Sequence, residues 1–237
     1  MMKPSFIIAV ISIVLLNSSF YFVGETKKDP ALIKLTDDFE VNGKGDNEQW
    51  NKTSWITMPQ RRDAGAKYQT QVKILYSKTG IYFLFNSEDE KITSTLTEDF
   101  ADLWEEDVVE VFFWTDEKYP FYFEYELSPT NYELPIMVPN VEGDFLGWKP
   151  WNYEGDRLTR KATHIHKTGE KVNAWTAEFF IPFALLKPMA NVPPKSGTKW
   201  RANMYRLDYD TGLSSWAWKP IRTNFHDYKS FGTFIFE

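Results

Sequence analysis

The sequence predicts an all-β protein, an antiparallel β-sandwich with long loops and little helix. Three observations carry that expectation. Short apolar–polar alternations recur from about residue 30 to the end, turn signals separate them, and no long helical pattern alternates with the strands.

The alternation of Val72, Ile74 and Tyr76 meets a turn at Lys78 to Gly80 and resumes at Ile81 to Asp89, which reads as a hairpin. Further strands are expected at 108–114, 121–127, 158–167, 174–181, 200–208, 214–218 and 231–236. Helix is expected only as short turns, at Pro182 to Leu186 and at Ser94 to Leu103. The stretch from Glu133 to Gly155 carries Pro135, Pro139 and Pro150 among several glycines, together with Trp148, Trp151 and Tyr153, and reads as a long irregular loop. No glycine-rich phosphate loop follows any strand, so a nucleotide-binding sheet is excluded.

Composition narrows the function classes. A net charge of -6, with 27 basic and 33 acidic residues and no basic run, argues against a nucleic-acid partner. The 10 Trp, 12 Tyr and 19 Phe exceed what a core of this size needs and suit flat amphipathic contacts. Without cysteine there is no disulfide, thiolate metal site, lipid-modified cysteine or cysteine nucleophile.

Residues 1–24 combine an early Lys3, an apolar run from Phe6 to Leu16 and the polar break Asn17 to Ser19. That is the outline of a signal peptide, which places the mature chain in a secreted, periplasmic or cell-surface location. The alternative is an uncleaved anchor, because apolar character resumes at Phe20 to Val23, and only then would a membrane be a partner. The remaining 30–237 is expected to form one domain.

The chemistry-bearing residues gather around "DLWEEDVVEVFFW", Asp102 to Trp114. Strand alternation groups Val109, Val111 and Phe113 on one face and Val108, Glu110, Phe112 and Trp114 on the other. Glu110 then stands on a largely apolar face, either solvated on an outer sheet surface or serving a ligand. The same alternation in "FYFEYELS" groups Tyr122, Glu124 and Glu126, and pairing of the two strands would put Glu110 beside them, where like charges call for a ligand, an ion or a basic group. In "WRANMYRLDYD", Arg201, Asn203 and Tyr205 share one side and Arg206 the other. His164, His166 and His226 form no metal-ligand cluster in the sequence, and no serine sits in a nucleophile elbow.

Six segments occur in order: "FEVNGKGDNEQWNK", "LWEEDVVEVFF", "WTAEFFIPF", "WRANMYR", "SSWAW" and "FHDYKSFGTFIF". Together they resemble the family 9 carbohydrate-binding modules, from about residue 32 to the C-terminus. The resemblance implies an immunoglobulin-like sandwich that clamps a terminal sugar between two aromatic rings. It places Trp104 at the first tryptophan, Glu110 at a sugar-binding glutamate and Phe225 at the second wall. It puts Glu124 at or near the family's sugar-binding arginine, reversing the charge, and Tyr205 near its glutamine. Asn203 and Arg206 are expected as further polar contacts. No cofactor is expected. The resemblance admits structural calcium, with Asp37, Asp38, Asp46, Glu105 and Asp107 as oxygen donors, although solvated turns account for the same acids.

The expected activity is carbohydrate binding without catalysis, in glycan or polysaccharide degradation, with an oligo- or polysaccharide as partner. A glycoside hydrolase using Glu110 with Glu124 or Glu126 is the second reading. A structural or interaction sandwich without a sugar ligand is the third.

Overall fold

A computed structural model of the protein describes residues 30–142, 144–187 and 189–237. The expected signal peptide, residues 1–24, lies outside the described residues.

Among the described residues there are fifteen strands: β1 (Ala31–Leu35), β2 (Ile56–Thr57), β3 (Gln60–Arg62), β4 (Thr70–Tyr76), β5 (Gly80–Glu88), β6 (Val108–Trp114), β7 (Phe121–Leu127), β8 (Glu133–Val141), β9 (Asp144–Phe145), β10 (Lys149–Pro150), β11 (Arg160–Thr168), β12 (Lys171–Pro182), β13 (Lys199–Asp208), β14 (Ser214–Ala217) and β15 (Gly232–Phe236). Helix there is confined to short 3-10 turns, one of them at Leu103–Glu105. The short helical turn expected at Ser94 to Leu103 is instead irregular loop, in which the Glu106 carboxylate takes the backbone N–H groups of Thr95 and Leu96.

The strands form two layers. One runs β10-β8-β7-β6-β13-β15, with β14 attached to β13 and β3 to β14, and the other runs β4-β5-β12-β11. β1 belongs to both: Ala31 to Ile33 pair with β15, and Lys34 and Leu35 pair with β4, both times in parallel. The sandwich is therefore antiparallel except at this shared strand. A parallel partner some two hundred residues away leaves no local sequence signal.

β8 lies inside the stretch expected to be irregular. Its prolines are compatible with pairing because Pro135 and Pro139 point their backbone away from β7, and their carbonyls accept from Trp151 and Leu146 on the outer side. A proline costs a ladder bond only where its missing N–H faces a partner strand.

Between the layers, Val109, Val111 and Phe113 of β6 meet Phe83 of β5 and Phe179 of β12, with Phe83 5.6 Å from Phe113 and 5.3 Å from Phe179 between ring centroids. Each such buried side chain contributes roughly 1.5–3 kcal/mol, which lets the fold stand without disulfides.

Both outer faces are covered as well. Over the second layer, Phe39 and Trp50 pack on Leu75, Tyr82, Leu84 and Phe180. The buried Glu178 of β12 pins this cover by accepting from Asn42 N (2.9 Å), Gly43 N (2.8 Å) and Trp50 Nε1 (2.8 Å). Gly43 is needed here: its φ is +81°, and a Cβ would stand 2.8 Å from the backbone of Thr163. Over the first layer a second apolar cluster joins Val108, Phe112, Tyr122 and Ile136 to loop residues such as Leu103, Tyr228 and Phe231. The face that could have been a solvated sheet surface is thus an interior, and the candidate site lies in it.

Candidate functional site

Register places three acids together. Glu110 pairs with Glu126 and Phe112 with Glu124 across β6 and β7, so the three carboxyls share the outer face of the first layer. They are 2%, 0% and 4% exposed for Glu110, Glu126 and Glu124. Of the two readings of Glu110, the solvated outer surface is excluded: its side chain leaves the sandwich core but meets the loop cover instead of water.

Between sheet and cover opens a cavity of about 650 Å³, within the range of small-ligand sites. Glu110, Glu124 and Glu126 lie on its sheet side, and Trp104, Phe225 and Trp148 contribute aromatic lining. Trp104 follows β5 in the short turn before β6. Its backbone carbonyl accepts from Tyr209 Oη at 2.7 Å, and its ring meets Trp148 edge-on at 5.6 Å. Phe225 stacks on Tyr205 at 4.0 Å with an interplanar angle of 9°.

Asn203 and Tyr205 hold that aromatic wall in place. Tyr205 Oη donates to the Phe225 carbonyl at 2.9 Å, Asn203 Nδ2 donates to Tyr205 Oη at 2.8 Å, and Asn203 Oδ1 accepts from Lys219 N at 2.9 Å. Both side chains are fully buried, with their polar groups turned to the loop from 219 to 225. They support the cavity from behind.

Arg206 does not reach the cavity. It points to the opposite face of β13, where it donates to Asp208 (2.7 Å), Asp89 (3.1 Å), Thr70 Oγ1 (3.1 Å) and the Glu88 carbonyl (2.7 Å), and its guanidinium lies 4.7 Å from the Trp216 ring. The expectation of a polar contact at the sugar site is corrected by strand parity: one position along β13 changes the face.

Burial sets the electrostatics of the acids. It pushes Glu124 up to about 8 and raises Glu110 and Glu126 well above the usual carboxyl range, with mutual repulsion adding to burial for the last two. Both Glu126 oxygens and Oε2 of Glu124 accept no hydrogen bond from any donor among the described residues. The two carboxyls stand beside each other and can satisfy one another only when one carries a proton. His226 also lines the cavity. Its Nδ1 lies 2.6 Å from Tyr122 Oη and 3.8 Å from Glu124 Oε2, and burial lowers its pKa to about 4, so it is neutral near pH 7. The sequence weighed His226 only as a metal ligand and gave no sign of Phe145, which stacks on it at 4.2 Å; its place beside Phe225 was the signal for the cavity.

The acids considered for calcium do not gather. Asp38 takes hydrogen bonds from Thr79 and Tyr82, Asp46 from Asn42, and the buried Asp107 from the backbone of Thr93 and Tyr209. Among the described residues the group of three acids whose ligand atoms all fall within 4.8 Å of one another is Asp89, Asp208 and Asp210, and Arg206 already pairs with two of them.

A sandwich that keeps an aromatic and acidic cavity between one sheet and its loops is a binding module in architecture. The chain belongs to the family described as carbohydrate family 9 binding domain-like, whose profile matches residues 41–237. No match was found among curated proteins. Among solved structures, a candidate carbohydrate-binding protein from Bacteroides uniformis is 17% identical with a TM-score of 0.72, covering 88% of this chain and 99% of that one. A family 9 carbohydrate-binding module from Caldicellulosiruptor kristjanssonii, solved with cellotriose, is 14% identical with a TM-score of 0.59, covering 87% and 93%. The same description solved with glucose is 15% identical with a TM-score of 0.59, covering 87% and 95%. These likenesses establish the fold.

Proposed function

We propose that the protein binds carbohydrate in this cavity and does not transform it. The observation that carries the reading is the meeting of Trp104 and Phe225 with the buried Glu110, Glu124 and Glu126 in one cavity. The C–H face of a sugar ring is apolar and stacks on an aromatic ring, while its hydroxyls need acceptors, which the carboxyls supply. Family membership supports the same reading.

A hydrolase would use two of the three carboxyls, and their shared face is the observation in its favour. Against it, all three are pushed in the same direction. Hydrolysis by a carboxyl pair needs one group driven up and its partner kept ionised. Export by the N-terminal segment, and action beside glycan-degrading enzymes at the cell surface or in the periplasm, complete the proposal.

A glycan array followed by calorimetry on the strongest hit tests it. Saturable binding with an unchanged ligand supports the module. Ligand turnover supports the hydrolase, and an empty array with well-folded protein supports a sandwich without a sugar ligand.

A further inference from the structure

A neutral sugar needs a few hydrogen-bond partners, and one buried carboxyl already offers two acceptor oxygens. This cavity holds three carboxyls on neighbouring positions of β6 and β7, with Glu110 directly opposite Glu126. Opposed like charges weaken a strand pair, and burying carboxylates without partners costs several kcal/mol. Three of their oxygens, both of Glu126 and one of Glu124, are buried with no donor among the described residues.

Among the described residues no ion pair joins a Lys or Arg to them. His226, 3.8 Å from Glu124, is held neutral near pH 7 by burial. Arg61 lines the cavity but turns its guanidinium to the carbonyls of Ala217 (3.3 Å) and Trp218 (3.5 Å). Arg62 also lines it, and neither arginine pairs with the three glutamates. The other titratable groups around the acids are Tyr122, Tyr205, Tyr209 and Asp102, none of which can be a cation.

We propose that the cavity takes an amino sugar, its protonated amine set against Glu110, Glu124 and Glu126 and its ring against Trp104 and Phe225. This rests on the carbohydrate reading above. An ammonium has three donors and no acceptor, which matches a cluster that in its ionised form has acceptors without donors. Its hydrogen bonds to carboxylates are charge-assisted, about twice as strong as neutral ones. Phe112, between the acids on the same face, and Trp104 add ring faces that attract a cation. Because burial holds protons on the empty cluster, an arriving cation favours the ionised carboxyls and releases protons to solvent.

The test is calorimetry at about pH 6.5, where an amine keeps its proton. Three trisaccharides with the same β-1,4 linkage and ring stereochemistry are compared: glucosamine, N-acetylglucosamine and glucose. The expected result is glucosamine trimer binding at least about tenfold tighter than either neutral trimer, a gap of ~1.4 kcal/mol, with affinity falling as salt rises. Glu126→Gln keeps the shape and removes the charge. It is expected to abolish that preference, so that the glucosamine trimer binds the variant no tighter than the neutral trimers do, with Glu110→Gln as the second variant should thermal melting show Glu126→Gln to be misfolded.

Equal or tighter binding of a neutral trimer overturns the amine inference and leaves the carbohydrate reading standing. Unchanged glucosamine affinity in a folded glutamine variant overturns the inference as well. Failure of all three trimers overturns it too, and the glycan array then decides the carbohydrate reading separately. Calcium chloride binding lost in Glu126→Gln, without any amine preference, assigns the cluster to a metal instead.

Discussion

Glu110 on β6 stands directly across the ladder from Glu126 on β7, and both side chains are buried beneath the loops that cover the first sheet. The pair can be accommodated because burial and repulsion keep protons on the cluster. The cavity floor therefore changes charge with whatever enters it, and the chain's stability is tied to pH.

Folding holds a proton on Glu124 up to about pH 8, whereas its ordinary value is 4.5. Asp107, held up to about 7, acts with the same sign, since it is buried. The folded chain binds more protons than the unfolded one across this window, so stability falls as pH rises through it. His226 acts in the opposite sense but only between about 4 and 6.5. From pH 6.5 to 8 the acids act alone, and Tm is expected to drop by several degrees. Glu124→Gln should flatten part of that slope and raise Tm at the alkaline end. Melting curves across the range check this, and a Tm that is level or climbs from 6.5 to 8 contradicts it.

Trp104 is half-buried, its ring held edge-on by Trp148 while it lines the cavity. Trp104→Ala should cost only a few degrees in Tm and weaken saccharide binding by tenfold or more, at ~1.4 kcal/mol per decade. Calorimetry beside a melting curve separates the two effects. Global unfolding would place Trp104 among the residues that hold the loop cover, not among those that meet a ligand.

Arg206→Met tests a position on the other face of β13. Its removal leaves Asp89 and Asp208 buried without their cation, a loss of about 3–5 kcal/mol and roughly 10 °C in Tm. Saccharide affinity, measured where the variant is still folded, should stay within about twofold of the parent protein, since the guanidinium does not line the cavity. A larger loss of affinity would show that the acid cluster around Arg206 is coupled to the ligand.

Glu110→Gln discriminates binding from hydrolysis. The parent protein, incubated with its best glycan and analysed by chromatography, is expected to return the glycan intact. Product formation that disappears in Glu110→Gln would establish the hydrolase, with Glu124 or Glu126 as the second carboxyl.

Much of the fold was legible. The strands at 108–114 and 121–127 have the bounds their alternation predicts, and the parity that separates Val109, Val111 and Phe113 from Glu110 is the parity observed. β8 was hidden, because prolines suppress a strand reading unless one knows which way their backbone faces. The sharing of β1 between layers was hidden too, since parallel pairing of distant segments has no local signature.

The sequence by itself determined which residues share a face. Side chains alternate strictly along a strand, so Glu110, Glu124 and Glu126 could be grouped, and Arg206 separated from Asn203 and Tyr205, from spacing alone. Only the tertiary structure decided what meets each face. Loops from 93–105, 144–148 and 219–231 fold over the first sheet, turn an outer surface into an interior and bring His226 and Trp148 to the same cavity. That covering depends on contacts between segments far apart in the chain. It is what converts three ordinary strand glutamates into a proton-holding cluster.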